Sequence, residues 1–299
     1  MAQKSQIKEP LNDELLRKYV NGCHILHYHG LVDAYGHLSV RVSDDSFLMC
    51  RYMAPPMVAN REDLWLYKVA DGEGVKEDTP RGFSERYIHS EVYKAYPGVN
   101  AVVHSHSLDV VPFSISPKLP LRACFHMSGF LGTNVPVWDP ATEYKKDPTL
   151  VQHMLVRDTK MGASLAKALG AGQDGLPKEH VALMRGHGFV CTGTSIEMAI
   201  ARSVYTAQNA RILKDALAIA GRSEDVVVFS EREAADAGRS TISGAVKPWP
   251  LWLAEVESLL FELPAGRRAR AVRSYVLSAP RLAMMMWTRH LSSRTNRRA

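Results

Sequence analysis

Apolar positions change their period several times along this chain, and each change marks an element. Over residues 11–30, Leu11, Leu15, Leu16, Tyr19 and Val20 recur at helical spacing before Gly22. Residues 33–42 turn at Gly36 into a stretch whose side chains alternate, which predicts a strand. Residues 47–50 and 63–69 predict two further strands, the second ending at Asp71-Gly72. Ser84 is placed to cap a helix over 85–96, which Pro97-Gly98 stops. Residues 99–105 form a β-branched strand, and 112–140, rich in proline and glycine, predict short strands and loops. A helix over 154–169, strands at 181–184 and 189–191, and a long helix over 196–220 started by Thr194-Ser195 complete the body. Strands and helices interleaved in this way predict an α/β fold in which helices cover both faces of one sheet. The division expected is a body over 1–245 and a proline-interrupted extension over 246–299, in which residues 249–261 can form one amphipathic helix.

The chemistry concentrates in Ala101-Val102-Val103-His104-Ser105-His106. Side chains two apart on a strand share a face, so His104 and His106 can reach one cation. His187, between Gly186 and Gly188 after another apolar run, is a third candidate, and Glu85 supplies a carboxylate. Three neutral imidazoles and one oxygen suit zinc first, and also manganese, iron or cobalt, one divalent ion per chain. Glu85 can complete the shell at rest and carry a proton during turnover. His89, four residues on along the same helix face, is the second catalytic candidate. His37 with Ser39, Ser84 with Arg86, and His126 are candidate substrate contacts; Arg86 can clamp a carboxylate bidentately.

Composition narrows the setting. Hydrophobic residues make up 46% and charged residues 23%, ordinary values for a globular protein. No apolar run approaches the ~18 residues of a membrane span, and no secretory leader pattern is seen, so a cytoplasmic location is expected. The net charge of +6 conceals a division: nine arginines and no acid follow Glu262, leaving the rest of the chain at −3. Because no recognition module accompanies that basic tail, nucleic acid is not an expected partner, and without a spanning run neither is a membrane. Four cysteines without CxxC spacing read as reduced, packed thiols.

Taken in order, Gly36-His37-Leu38-Ser39-Val40-Arg41, Ser84-Glu85, His104-Ser105-His106 and Gly186-His187-Gly188 resemble the class II aldolase/adducin family over residues 12–222. The resemblance implies a three-layer α/β/α sandwich around a mainly antiparallel sheet and a homotetramer. It matches His104, His106 and His187 to the metal ligands and Glu85 to the acid/base carboxylate. Members that act on sugar phosphates usually carry Asn where His37 stands, a hydroxyl-rich loop where this chain has residues 50–56, and a serine where it has Phe83. Those departures argue against a phosphorylated substrate. His37 and Phe83-Ser84-Glu85-Arg86-Tyr87-Ile88-His89 are similar instead to the decarboxylase branch.

The function expected is therefore a divalent-metal-dependent carbon–carbon lyase that decarboxylates a hydroxylated aromatic or enol-type acid. A retro-aldolase for an unphosphorylated hydroxy-carbonyl compound is the first alternative, and an iron-dependent oxygenase a more distant one. A non-catalytic adducin-like scaffold is the alternative outside enzymology.

Overall fold

A computed structural model describes residues 12–242 and 247–261. The remaining positions, including the run of arginines and Met284–Met286, lie outside the described residues. The chain divides into two compact units, one running to Val256 and one from Glu257.

In the first unit, seven strands form one sheet in the order β3-β2-β1-β4-β7-β6-β5. They are β1 (His37–Arg41), β2 (Ser46–Cys50), β3 (Leu64–Lys68), β4 (Ala101–Ser105), β5 (Val137–Trp138), β6 (Val181–Met184) and β7 (Gly188–Gly193). Every pairing is antiparallel except β5 with β6. The fold is the α/β sandwich that the alternating pattern implied.

Alternation within β1 separates the layers. Leu38 and Val40 face α1 (Asp13–Tyr28) and α6 (Ile196–Ala220), where the Tyr19 hydroxyl donates to the Leu38 carbonyl at 2.7 Å. Ser39 and Arg41 face α2 (Arg86–Ala95), behind which packs α5 (Thr159–Ala168). Arg41 is 2% exposed and donates to the carbonyls of Tyr93, Tyr96 and Val99 at 2.6, 3.2 and 2.8 Å. It thereby satisfies the Tyr93 carbonyl, which lies in the last turn of α2 and which the helix leaves without a partner, and it ties that helix to the sheet.

Helix starts follow side-chain caps. Asn12, Asp158 and Ser195 accept from the amides of Leu15, Met161 and Met198 and open α1, α5 and α6. Two expectations require correction here. The helix expected from residue 154 starts only at Thr159, because Asp158 takes the cap and Met154 stands at φ 65, outside the helical region. At α2 the cap position belongs to Glu85, and no side chain caps that end, so Ser84 has no capping bond.

Residues 111–146 hold α3 (Val111–Ser114), a 3-10 turn (His126–Leu131), β5 and α4 (Ala141–Lys146). Beyond α6 lie α7 (Glu231–Ile242) and α8 (Pro248–Phe261). Trp252 of α8 packs edge-on against His29, so the first turns of the expected extension pack on the body. Among the described residues no helix is long and apolar enough to cross a membrane, and Cys23, Cys50, Cys124 and Cys191 are free thiols.

Candidate metal and active site

The antiparallel register sets His37 of β1 opposite His104 of β4. His106 follows the end of β4, and His187 sits in the turn between β6 and β7. Two glycines permit this approach. Gly36 stands at φ +78, a conformation that L side chains rarely adopt, and turns the chain into His37. At Gly188 a Cβ would lie 2.0 Å from the Ser105 carbonyl oxygen, so only glycine lets the His187 turn close onto the end of β4.

Glu85, His104, His106 and His187 converge, their ligand atoms all within 4.8 Å of one another. His106 Nε2 lies 3.0 Å from both His104 Nε2 and His187 Nε2. Glu85 Oε2 lies 3.7 Å from His104 Nε2 and 3.5 Å from His187 Nε2, while Oε1 accepts from the Val156 amide at 3.0 Å. One carboxylate oxygen is anchored and the other is turned to the imidazoles.

The hydrogen bonds on the far side of each ring decide what the cluster fits. His104 Nδ1 meets the Phe189 carbonyl at 3.0 Å and His187 Nδ1 meets the Met154 carbonyl at 3.1 Å. A carbonyl only accepts, so both Nδ1 atoms carry the proton, and each neutral ring presents a bare Nε2 lone pair. Burial and the neighbouring imidazoles hold His104 well below the usual histidine pKa; burial foremost and then His187 lower His106. His106 has at most one proton for two facing lone pairs. A cation resolves that conflict: nitrogens ~2.0–2.1 Å from a tetrahedral ion stand about 3.3 Å apart, close to the spacing seen. The residues present fit a divalent metal.

Behind the cluster runs a buried chain of hydrogen bonds. His37 Nδ1 lies 2.7 Å from His89 Nε2, His89 Nδ1 lies 2.6 Å from Ser39 Oγ, and Ser39 Oγ lies 2.7 Å from the Tyr93 hydroxyl. Burial pushes His89 down to about 3 and His37 well below its usual range, so both rings are neutral at pH 7.

The expected substrate contacts separate. His37 stays beside His104, with ring centroids 5.0 Å apart, and Ser39 and His89 stand behind it. Arg86 is occupied elsewhere, donating to the Gly72 carbonyl and to Glu73 at 2.6 Å each. His126 is exposed on the 3-10 turn, its ring edge-on to Phe125, and the structure does not bring it to the cluster. Sequence reasoning missed the Val156 amide, the Met154 carbonyl, Tyr93 and the inward role of Arg41. Only the last two carried a local signal: Tyr93 shares a helix face with His89 four residues before it, and alternation turns Arg41 inward in β1.

The sequence pattern of the Class II Aldolase and Adducin N-terminal domain matches residues 17–213. This chain belongs to that family. Within the class II aldolase and adducin family it is 40% identical over 253 residues to the decarboxylase tropJ of Talaromyces stipitatus, covering 81% of this chain and 94% of that protein. It is 26% identical to a 3,4-dihydroxyphthalate decarboxylase of Arthrobacter keyseri, over 73% of this chain and 85% of that one. Among solved structures, L-fuculose 1-phosphate aldolase from Glaciozyma antarctica superposes with a TM-score of 0.60 at 21% identity, covering 84% of this chain and 91% of that one. An aldolase II superfamily protein from Pseudomonas syringae superposes with a TM-score of 0.65 at 19% identity, covering 88% and 97%. These likenesses establish the class II aldolase fold, and the chain is an enzyme of the lyase type.

Proposed function

We propose that this enzyme is a divalent-metal-dependent decarboxylase of a hydroxylated aromatic or enol-type carboxylic acid. The observation that carries the reading is the convergence of three histidine Nε2 atoms and Glu85, in a chain 40% identical to a decarboxylase. His104, His106 and His187 hold the ion, zinc first and manganese, iron or cobalt next, with Glu85 as the fourth ligand. Bound there, the ion supplies a Lewis acid for oxygens beside the leaving carboxylate.

The chain's own residues do the rest. When CO2 leaves, its bonding electron pair stays on the substrate carbon, and a proton must reach that carbon. Glu85 is suited to deliver it: Oε1 is fixed by Val156 N–H, and Oε2 faces the centre. His89 is 0% exposed behind His37, so it supports the site and does not touch substrate. The absence of a phosphate cradle is supported by Arg51, whose guanidinium is neutralised by Asp63 at 3.1 Å, and by Phe83, which packs against His37. Family likeness and the free thiols support a cytoplasmic homotetramer that binds neither nucleic acid nor membrane, with a carboxylated small molecule as its substrate.

The test is CO2 release from ortho-hydroxylated benzoates and phthalates by metal-loaded enzyme and its Glu85→Gln variant. Released CO2, lost in the variant while metal stays, is expected. Aldehyde without CO2 would replace this reading with the retro-aldolase, and oxygen consumption would replace it with the oxygenase. A chain that binds no metal and turns over nothing would be the scaffold.

A further inference from the structure

His37 stands at the wall of the site with one nitrogen occupied and one free. Its Nδ1 is taken by His89. Its Nε2 makes no hydrogen bond among the described residues, and it is not one of the sealed polar atoms without partners, so a molecule in the site can reach it. Whether that nitrogen offers a proton or a lone pair is decided elsewhere, because Tyr93, Ser39, His89 and His37 form a chain of groups that each donate and accept, met at its Tyr93 end by the Val102 backbone. In such a chain one direction sets all the others.

The Tyr93 end sets it. Burial raises the Tyr93 phenol above its ordinary range, but an alcohol is a far weaker acid, so the phenol stays the stronger donor and the Ser39 oxygen the better acceptor of the two. The Arg41 guanidinium lies over the Tyr93 ring, 4.7 Å from its centroid, which strengthens the phenolic donor further. Tyr93 O–H therefore donates to Ser39 Oγ, Ser39 O–H to His89 Nδ1, and His89 Nε2–H to His37 Nδ1. We infer that Tyr93, Ser39 and His89 are positioning residues that lock neutral His37 in its Nε2–H tautomer, making it a hydrogen-bond donor aimed at an oxyanion of the substrate. On the decarboxylase reading, on which this last step rests, that oxyanion is the carboxylate or an adjacent phenolate. His37 then neither accepts a proton nor ligates the ion; its part is recognition.

The experiment is imidazole 15N spectroscopy of the zinc-loaded full chain, with binding of 2-hydroxybenzoate measured in parallel. Wild-type His37 is expected to show a bare Nδ1 and a protonated Nε2 at pH 7. Ser39→Ala and, as a milder change, Tyr93→Phe are each expected to give mixed tautomers of His37. 2-Hydroxybenzoate should then bind about 2- to 5-fold more weakly, by the reciprocal of the fraction of His37 left in the Nε2–H form. Zinc content should stay unchanged. A protonated Nδ1 in the wild type overturns the inference, as does a His37 signal indifferent to both substitutions. The tautomer result stands by itself, so a locked Nε2–H together with no binding of aromatic carboxylates would sink the substrate reading and not this one.

Discussion

His106→Ala separates metal binding from folding. His106 is only partly buried, and its Nε2 spans the other two imidazoles at 3.0 Å each. No backbone group depends on it, whereas His104 and His187 are each bonded to a carbonyl. Removing it without metal should change stability by less than about 1 kcal/mol, and it relieves the crowding of lone pairs. Its effect on the ion should be large: losing an outer hydrogen-bond partner already costs 10–100-fold in affinity, and a ligand should cost more than about 100-fold. Zinc at 100 times its dissociation constant stabilises the wild type by about 2.7 kcal/mol. For a unit of this size each kcal/mol moves Tm by about 2–4 °C, so zinc should raise the wild-type Tm by about 5–10 °C and the variant by about none. Thermal scans with and without zinc, together with metal analysis after dialysis, make the measurement, with His126→Ala as a control that keeps its ion. Stoichiometric zinc in His106→Ala, or an undiminished shift, would refute the ligand assignment.

Other perturbations probe the proton carrier, the scaffold and the pH response. Glu85→Gln keeps an acceptor for Val156 N–H but removes the charge, so kcat should fall by about 10²–10⁴ with metal largely retained; unchanged turnover would remove Glu85 from the chemistry. Gly188→Ala drives a Cβ to 2.0 Å from the Ser105 oxygen and should cost about 1–3 kcal/mol and weaken zinc, both read from calorimetry. Arg41→Met takes the guanidinium from the Tyr93 and Val99 carbonyls, while Tyr96 keeps the Val99 amide, and should cost about 2–5 kcal/mol in denaturant unfolding. His180 is pushed down to about 3, mainly by burial, with the charge of Arg202 adding. The unfolded chain, with a histidine pKa near 6.5, then binds more protons than the folded one at intermediate pH. His180 therefore contributes stability above about pH 6.5 that is lost as pH falls towards 3. His180→Gln should lose about 2 kcal/mol less than wild type between pH 7 and 5; an equal loss would sink that assignment.

Much of the architecture follows from local pattern. Alternation in residues 37–41 assigns Leu38 and Val40 to one layer and Ser39 and Arg41 to the other, and the tertiary structure has no freedom to change that without slipping the register. Period-2 spacing likewise sets His104 and His106 on one side, and Gly186 and Gly188 announce the turn that carries His187. Caps were half legible: Asp158 carries a cap signal that outranks the apolar run before it, and at α2 the nearby Ser84 makes no cap at all.

What sequence could not reach is any relation that depends on which segments meet. His89 shares a helix face with Glu85 and reads as a second acid/base, yet packing of α2 on β1 places it behind His37. Arg86 and His126 read as ligand contacts, but one is held by Gly72 and Glu73 and the other is exposed on a 3-10 turn outside the cluster. The proton positions on His104 and His187 follow from the carbonyls of Phe189 and Met154, 85 and 33 residues away along the chain. Local periodicity reports a residue's own face and cap. Tautomer, burial and the direction of a hydrogen-bond chain belong to the partner across the contact, and only the folded structure names that partner.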